Sequence, residues 1–171
     1  MLRAIRTDRT PHLLLLHYSN TGSVQNLLLV PRVFFTESVI EKRRPLGPNA
    51  RRAGWIGCNI LLSAIPPDGK IPMISAGIPV PKGRVREEYS RVIGLAQLPP
   101  SLRGWTLDVL CTVRQLGKSE FTLQELYAFE QQLNSLHPNN QNVRAKIRQQ
   151  LQVLRDIGLI RFGVRGSYRI A

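Results

Sequence analysis

Residues 140–160 have the sequence NQNVRAKIRQQLQVLRDIGLI, in which apolar residues recur at helical spacing. One face carries four of them, at separations of four, four and three positions: Val143, Ile147, Leu151 and Leu154. Such spacing is typical of a helix that buries one side. Gly158 follows, and a glycine there commonly ends a helix in the left-handed conformation. The stretch therefore predicts a helix that begins near Asn139 or Asn140 and ends at Ile157.

Polar side chains form a row beside the buried face of this predicted helix. At about 100 degrees per residue, the row consists of Arg144, Arg148, Gln152 and Arg155. Arginine donates to both major-groove acceptors of guanine, and glutamine or asparagine pairs with the adenine edge. A single exposed arginine is more often only solvated, but a row of them in a three-helix pattern favours DNA binding. The residues at the predicted start of the helix are further candidate base contacts: Asn139, Asn140, Gln141 and Asn142.

Two further helices are predicted ahead of this one, from Trp105 onwards. Thr106 is expected to cap the first, and Gly117 is expected to end it. Thr122 and Glu125 have the spacing of a capping box for the second helix. The residues predicted to be buried on that helix are Leu126, Phe129, Leu133 and Leu136.

A short hairpin is predicted after the third helix, around a turn at residues 163–166. Its apolar positions, which alternate with arginines, are Ile160, Phe162, Tyr168 and Ile170. Three helices and a hairpin are the elements of a winged helix-turn-helix domain, which we place at residues 101–171. Arg165 at the tip of this wing is a candidate contact to a groove or a phosphate, although a tip arginine is also often only solvated.

The first 98 residues have a different, strand-rich pattern. The predicted strands cover residues 12–18, 27–35, 56–65 and 70–75, and four consecutive leucines indicate that the first is buried on both faces. Pro31 is expected to mark an edge or a bend, and Thr36 to cap a short helix over residues 37–42. A longer helix is predicted where apolar residues recur at Val85, Tyr89, Val92, Ile93 and Ala96. Pro99 and Pro100 then mark the boundary between a domain at residues 1–98 and the winged helix.

A loop rich in proline, glycine and arginine is predicted at residues 43–54, and we call it the arginine loop. It carries four arginines that are candidate phosphate contacts: Arg43, Arg44, Arg51 and Arg52. Trp55 follows directly, between Gly54 and Gly57. Core packing is the ordinary fate of a tryptophan, but an indole in this setting could equally stack on a base or contact a methyl group.

Composition restricts the class of protein. The chain has 24 Lys and Arg against 11 Asp and Glu, and the net charge of +13 favours a polyanionic partner over a basic but inert surface. No apolar run is long enough for a membrane span or a signal peptide, so we expect a cytoplasmic protein that does not enter membranes. Two cysteines, expected to be small buried residues, and three scattered histidines indicate neither a disulfide framework nor a metal site.

Several long strings of the sequence also occur together, and in one order, in a known family. They are RRAGWIGCNILL at 51–62, LGKSEFTLQE at 116–125, HPNN at 137–140 and RQQLQVLRDIGLI at 148–160. In these strings, and over essentially its whole length, the chain resembles the Dam-replacing, DpnI-like restriction endonucleases. The resemblance implies a nuclease domain of the PD-(D/E)XK type joined to a winged helix. It also implies cleavage of double-stranded DNA at G-A-T-C when the adenine is N6-methylated, with Mg²⁺ as the cofactor of an intact member.

The chain departs from that family in its front half, which we expect to be absent, together with its cysteine-rich zinc element. Residues 1–98 would then be the C-terminal part of a nuclease-like mixed sheet domain, within an overall α+β fold. Magnesium-dependent hydrolysis needs an Asp and, on the next strand, an acidic residue followed by a spacer and a Lys. The acids of residues 1–98 lack this arrangement, since Glu41-Lys42-Arg43 falls at the end of a predicted helix. We therefore expect no catalytic residue, no metal ligand and no cofactor in this chain.

Three functions are compatible with these observations. The first is binding of methylated G-A-T-C by a fragment that lacks its own catalytic centre. The second is an endonuclease, either complete in acids that the sequence pattern hides or completed by a missing N-terminal nuclease fragment. The third is a generic winged-helix transcriptional regulator, in which the first 98 residues form a dimerisation platform.

Overall fold

A four-stranded antiparallel sheet occupies the first half of the chain. The computed structural model covers residues 1–171 and describes all of them except for the side chain of Arg165. A short helix, α1 (Leu2–Arg6), precedes the sheet. Its strands lie in the order β1 (Leu13–Tyr18), β2 (Val24–Val30), β5 (Ile71–Ser75) and β6 (Ile78–Pro79). The first two pair in a hairpin register that places Leu13 opposite Val30 and His17 opposite Asn26.

Strand β1 is exposed, so the prediction that it is buried on both faces is wrong. Leu14 is 58% exposed and Leu16 is 51% exposed. The physical reason is position: β1 is an edge strand, and the core packs only against the end of the sheet that holds Val30 and Ile71, where Leu13 alone of β1 is partly buried. Consecutive leucines indicate burial only where a second layer covers them.

Pro31 ends β2 and bends the chain into a 3₁₀ turn at Arg32–Phe34, which buries Val33 and Phe34. The predicted bend is therefore confirmed, although β2 lies inside the sheet and not at its edge. Thr36 makes no side-chain capping bond, and the helix predicted over residues 37–42 is wrong. That segment is a single 3₁₀ turn, Glu37–Val39, followed by a strand, β3 (Ile40–Lys42).

A second, two-stranded sheet carries the arginine loop. Strand β3 pairs antiparallel with β4 (Cys58–Ile60), and residues 43–57 connect the two strands. The predicted strand at 56–65 is thus much shorter, because the chain turns into a 3₁₀ segment at Leu62–Ala64. Cys58 is exposed, contrary to the expectation of burial, because it lies on an exposed stretch of a two-stranded sheet; Cys111 is partly buried.

The predicted helix around Val85 is confirmed as α2 (Lys82–Val92), which continues as a 3₁₀ turn at Ile93–Gln97. The next helix, α3 (Pro100–Gln115), begins six residues before the predicted cap, Thr106. Proline is favoured in the first turn of a helix, where its missing N–H would have no partner. Gly117 ends the helix with φ +63°, as predicted.

The remaining elements form the winged helix. After β7 (Glu120–Thr122), the predicted second helix is split into α4 (Leu123–Tyr127) and α5 (Glu130–Leu136). The split turns Leu136 outward, while Leu126 and Leu133 are buried as predicted. The capping box of Thr122 and Glu125 is confirmed.

The third helix, α6 (Val143–Asp156), is followed by Gly158 at φ +79°, as predicted for its end. Strands β8 (Ile160–Phe162) and β9 (Ser167–Ile170) form the wing, and β7 completes a sheet of order β7-β9-β8. The α+β fold with a C-terminal winged helix-turn-helix is therefore confirmed. No helix within the described residues is both long and apolar enough to cross a membrane.

Buried polar links join α3 to the first half of the chain. Arg103 Nη1 donates to Asp8 Oδ1 at 2.8 Å, and Arg114 Nε donates to Asp68 Oδ2 at 2.8 Å. Ser38 Oγ donates to Asp108 Oδ1 at 2.8 Å. The division at Pro99 and Pro100 stays a prediction, but these links hold the two parts in one arrangement.

Candidate nucleic-acid interface

The recognition helix, as we call α6, is fixed in rotation by its buried face. Its apolar residues Val143, Ile147, Leu151 and Leu154 are all buried, as predicted. Gln150 is also fully buried, and its Oε1 lies 2.8 Å from the hydroxyl of Thr106 on α3. This buried hydrogen bond sets the register between α3 and α6, because leaving either partner unpaired would cost stability.

One flank of the recognition helix, beside its buried face, is polar and exposed. It presents the predicted row of Arg144, Arg148, Gln152 and Arg155 to solvent. The row runs along one side of the helix from its first turn to its last. Its donors could therefore follow the base edges of a major groove, and their contact with DNA stays a prediction.

Two of these arginines are held by side chains of α4 and α5. Arg148 Nη1 donates to the hydroxyl of Tyr127 at 2.8 Å. The guanidinium carbon of Arg144 lies 4.9 Å from the centre of the same tyrosine ring. Arg144 Nε also donates to Glu130 Oε2 at 2.7 Å. The two guanidinium groups are therefore oriented before any DNA arrives.

Arg155 is held by the wing. Its guanidinium carbon lies 4.6 Å from the ring centre of Phe162, and its Nε donates to Asp156 Oδ1 at 2.9 Å. Phe162 meets Tyr168 edge to face, and Tyr168 stacks on Phe121 with ring centres 5.4 Å apart. Aromatic packing thus connects the sheet of the winged helix to the last turn of α6.

The four residues from Asn139 to Asn142 precede the recognition helix, so their predicted place within its first turn is wrong. They form a turn in which Asn140 Oδ1 accepts from the backbone N–H of Asn142 at 2.8 Å. Asparagine side chains readily form such local bonds, which compete with helix formation. The four side chains remain close to the start of α6, and their role as base contacts stays a prediction.

A small cleft of about 340 Å³ lies beside that turn, between α3 and the start of α6. Its walls include Trp105, His137, Asn139 and Asn140. His137 stacks on Trp105 with ring centres 3.8 Å apart, and its Nε2 lies 2.8 Å from Asp108 Oδ2. His137 therefore has a structural role, which anchors the turn to α3.

The arginine loop forms a second basic surface. Arg43, Arg44, Arg51 and Arg52 are all exposed, as the loop composition predicts. The loop closes through two backbone bonds, Leu46 N to Trp55 O at 3.0 Å and Gly54 N to Leu46 O at 2.9 Å. Gly54 adopts φ +79°, a conformation that favours glycine, so the turn depends on this residue.

Trp55 lies at the base of the arginine loop and is 52% exposed. Its ring packs over Gly57, where an added Cβ would lie only 2.9 Å from the indole Cζ3. The indole is therefore a surface side chain and not a core residue, which leaves it available to a base or a methyl group. Arg165, the predicted wing-tip contact, has a side chain outside the described part of the structure.

The acidic residues of the first 98 positions do not fit a magnesium centre. Five are held by arginines: Asp8 by Arg103, Glu37 by Arg6, Asp68 by Arg114, Glu87 by Arg91 and Glu88 by Arg84. The sixth, Glu41, lies on β3 and not in the predicted helix, and it accepts from Asn59 Nδ2 at 2.9 Å. Among the described residues, no group of three or more His, Cys, Asp or Glu side chains is placed to hold a metal ion.

Sequence reasoning missed Tyr127, Glu130 and Phe162 as partners of the basic row. Glu130 and Arg144 are 14 positions apart, and Tyr127 and Arg148 are 21 apart. No periodicity within one helix connects residues at such distances. Only the packing of α4, α5 and the wing against α6 brings them together.

Comparison with known protein families gives two matches. A family model described as the Dam-replacing family, DpnI, matches residues 1–97. A second, described as the Dam-replacing HTH domain, matches residues 101–170.

Proposed function

This chain belongs to the Dam-replacing family and carries its DNA-binding helix-turn-helix domain, and we propose that it binds duplex G-A-T-C in which the adenine is N6-methylated. Membership of this family supports DNA binding. The preference for methylated adenine goes further and is our proposal. It follows from the resemblance to the DpnI-like endonucleases and from the chemistry of the exposed side chains.

The observation that carries the proposal is the exposed row on α6. Arginine donates to the O6 and N7 acceptors of guanine, and a glutamine amide can donate to adenine N7, which N6 methylation leaves in place, so Arg144, Arg148 and Gln152 suit the bases of methylated G-A-T-C. The row lies on a helix of 14 residues, which at about 1.5 Å per residue spans several base pairs of a major groove.

Methylation changes what a protein can contact at the adenine edge. The N6 methyl group replaces the hydrogen that faces the major groove. An apolar protein surface therefore gains a contact at this position, and a hydrogen-bond acceptor loses its donor. Trp55 supplies an exposed, apolar and flat surface, with Arg51 and Arg52 close to it in sequence. We assign Trp55 as the candidate contact to the methyl group and the arginine loop as the contact to the phosphates.

A second candidate function is DNA cleavage, because the family consists of restriction-type nucleases. The acids of residues 1–98 are engaged with arginines and an asparagine, so we derive no hydrolytic step through them. In this alternative, a separate polypeptide would supply the metal-binding carboxylates.

An electrophoretic shift assay tests the proposed binding. The probes are three duplexes of equal length: methylated G-A-T-C, unmethylated G-A-T-C and a scrambled sequence. We expect the tightest binding to the methylated duplex, and equal binding to all three would overturn the proposal. Arg148→Ala should weaken that binding by roughly ten-fold or more, since one bidentate contact to guanine is lost.

Arg91→Ala is the matched control. Arg91 is an exposed arginine on α2 that pairs with Glu87, outside the proposed interface. Its replacement changes the net charge by the same amount and should leave the methyl preference unchanged. Adding Mg²⁺ to the wild-type complex tests whether this chain cleaves DNA without another polypeptide, and specific products would favour the nuclease over the binding protein.

A further inference from the structure

Tyr127, the last residue of α4, contacts two arginines of the recognition helix at once. Its hydroxyl accepts from Arg148 Nη1 at 2.8 Å, and its ring lies 4.9 Å from the guanidinium carbon of Arg144. The two arginines are one helical turn apart and lie in the exposed row. One tyrosine therefore fixes the orientation of two adjacent candidate base contacts.

Tyr127 is partly buried and packs against the hydrophobic core. Tyr168 of β9 stacks on the buried Phe121 at 5.4 Å between ring centres. Burial raises the pKa of Tyr168, Tyr127 raises it further, and Arg148 opposes the rise. The capping box of Thr122 and Glu125 orders the start of α4, the short helix that ends at Tyr127. The support under the two arginines is thus packed and not a mobile surface.

Glu130 completes the arrangement on the side of Arg144. Its carboxylate accepts a hydrogen bond from Arg144 Nε at 2.7 Å, so the two terminal amino groups of that guanidinium are available to a base. On Arg148, the bond to Tyr127 uses Nη1 and leaves Nε and Nη2 as the pair available for a bidentate contact. Both arginines can therefore keep their internal bond while they donate to guanine.

We propose that Tyr127 is a positioning residue for DNA recognition, which orders Arg144 and Arg148 in the free protein so that less side-chain entropy is lost at the specific site. This inference rests on the proposed function of α6. Free arginine side chains lose considerable rotamer entropy when they bind, and an ordered guanidinium loses less. Phosphates can be contacted from many side-chain orientations, whereas a base edge requires one. Tyr127 therefore affects specific binding and leaves non-specific binding unchanged.

Tyr127→Phe and Tyr127→Leu separate the two contacts of this residue. Phenylalanine keeps the ring under Arg144 and loses the bond to Arg148, so affinity for the preferred duplex should fall by roughly five-fold. Leucine loses both contacts, and affinity should fall by roughly twenty-fold. Affinity for the scrambled duplex, and the slope of binding against salt, should stay at the wild-type values. Tyr89→Phe on α2 is the matched control and should change neither affinity.

A loss of equal size on the preferred and the scrambled duplexes would overturn the inference, because it would indicate a phosphate contact or a damaged fold. An unchanged preference in Tyr127→Leu would also overturn it. Thermal unfolding of each variant, with a melting temperature close to that of the wild type, shows that the domain is intact.

A measurement without DNA keeps this inference separate from the proposed function. In the free wild-type protein, NMR should show slowed rotation and protected guanidinium protons for Arg148, and Tyr127→Phe should abolish both. If the wild type bound all duplexes equally, the proposed recognition of G-A-T-C would fail while the ordering of Arg148 could still be observed. If Arg148 rotated freely in the wild type, the positioning role would fail even with methyl preference intact.

Discussion

Replacing Asp8 by asparagine removes the charge opposite a guanidinium that is almost entirely buried. The side chain of Arg103 is 4% exposed and that of Asp8 is 33% exposed, and the two are joined at 2.8 Å between Nη1 and Oδ1. Arg103 Nη2 donates to the carbonyl oxygen of Leu98 at 2.8 Å, while its Nε has no hydrogen-bond partner within the described residues. The carboxylate is therefore the main compensation for the buried charge.

The size of the effect follows from these contacts. Asparagine keeps an acceptor for Arg103, so the change removes the ion pair, leaves a hydrogen bond from the guanidinium to a neutral amide oxygen, and should cost about 1–2 kcal/mol of unfolding free energy. Glycine removes the carboxylate and leaves the buried guanidinium with the carbonyl oxygen of Leu98 but without an opposite charge, which should cost about 3 kcal/mol. Asp8 has φ +53°, and asparagine and glycine both accept that conformation, so neither change adds backbone strain.

Urea denaturation followed by tryptophan fluorescence measures these differences. Glu37→Gln is the control, because the Arg6–Glu37 pair has a similar bond, 2.7 Å, between side chains that are 67% and 53% exposed. Exposed pairs of this kind contribute less than about 1 kcal/mol. We therefore expect the order Asp8→Gly, Asp8→Asn, Glu37→Gln in decreasing loss of stability.

The same pair predicts a pH dependence. The hydrogen bond from Arg103 lowers the pKa of Asp8 below its ordinary value of 3.8, and Arg32 contributes in the same direction. A lowered carboxyl pKa means that the stabilisation is present above the ordinary value and is lost as the pH falls through the native one. The difference in unfolding free energy between the wild type and Asp8→Asn should therefore be constant near neutral pH and shrink below pH 3.8. A loss no larger than that of Glu37→Gln, or a difference that widens in acid, would refute the reasoning.

Three further changes test other parts of the molecule. Thr122→Ala removes the capping bond of α4 and should lower the unfolding free energy by about 1 kcal/mol, whereas Thr122→Ser should restore it; equal melting temperatures would contradict this. A thiol reagent should label Cys58 alone in the native protein, because Cys111 is partly buried and its pKa is raised to about 12, chiefly by burial; two labelled thiols would contradict this. Replacing Arg51 and Arg52 by alanine should weaken binding to all duplexes alike. It should also reduce the slope of log affinity against log salt concentration by about 2, and an unchanged slope would show that the arginine loop does not contact the phosphates.

The winged helix was the part of the fold that the sequence predicted best. Its signals are local: the four-four-three spacing in α6, the capping box at Thr122 and the glycines at 117 and 158. Each acts within one or two helical turns, so the same residues produce the same element in any fold. The start of α6 was misplaced because Asn140 bonds to the backbone of Asn142, a local competition that helical spacing does not show.

The first half of the chain was harder to predict from sequence, because burial in a sheet depends on neighbouring layers. The leucines of β1 have the composition of a buried strand, yet the strand lies at an edge. Residues 37–42 contain polar residues suited to a helix, yet pairing with β4 makes part of them a strand. In both places a distant segment decided the outcome.

For this protein, the sequence by itself determined the α+β class, the helices and wing of the C-terminal domain and the basic row on α6, because each depends on spacing along one segment. Tertiary structure alone decided which groups hold that row. Tyr127 and Glu130 reach α6 only through the packing of separate helices, and Asp8 reaches Arg103 across 95 positions. Side-chain pairing between distant segments is set by the complete packed arrangement, which no local pattern encodes.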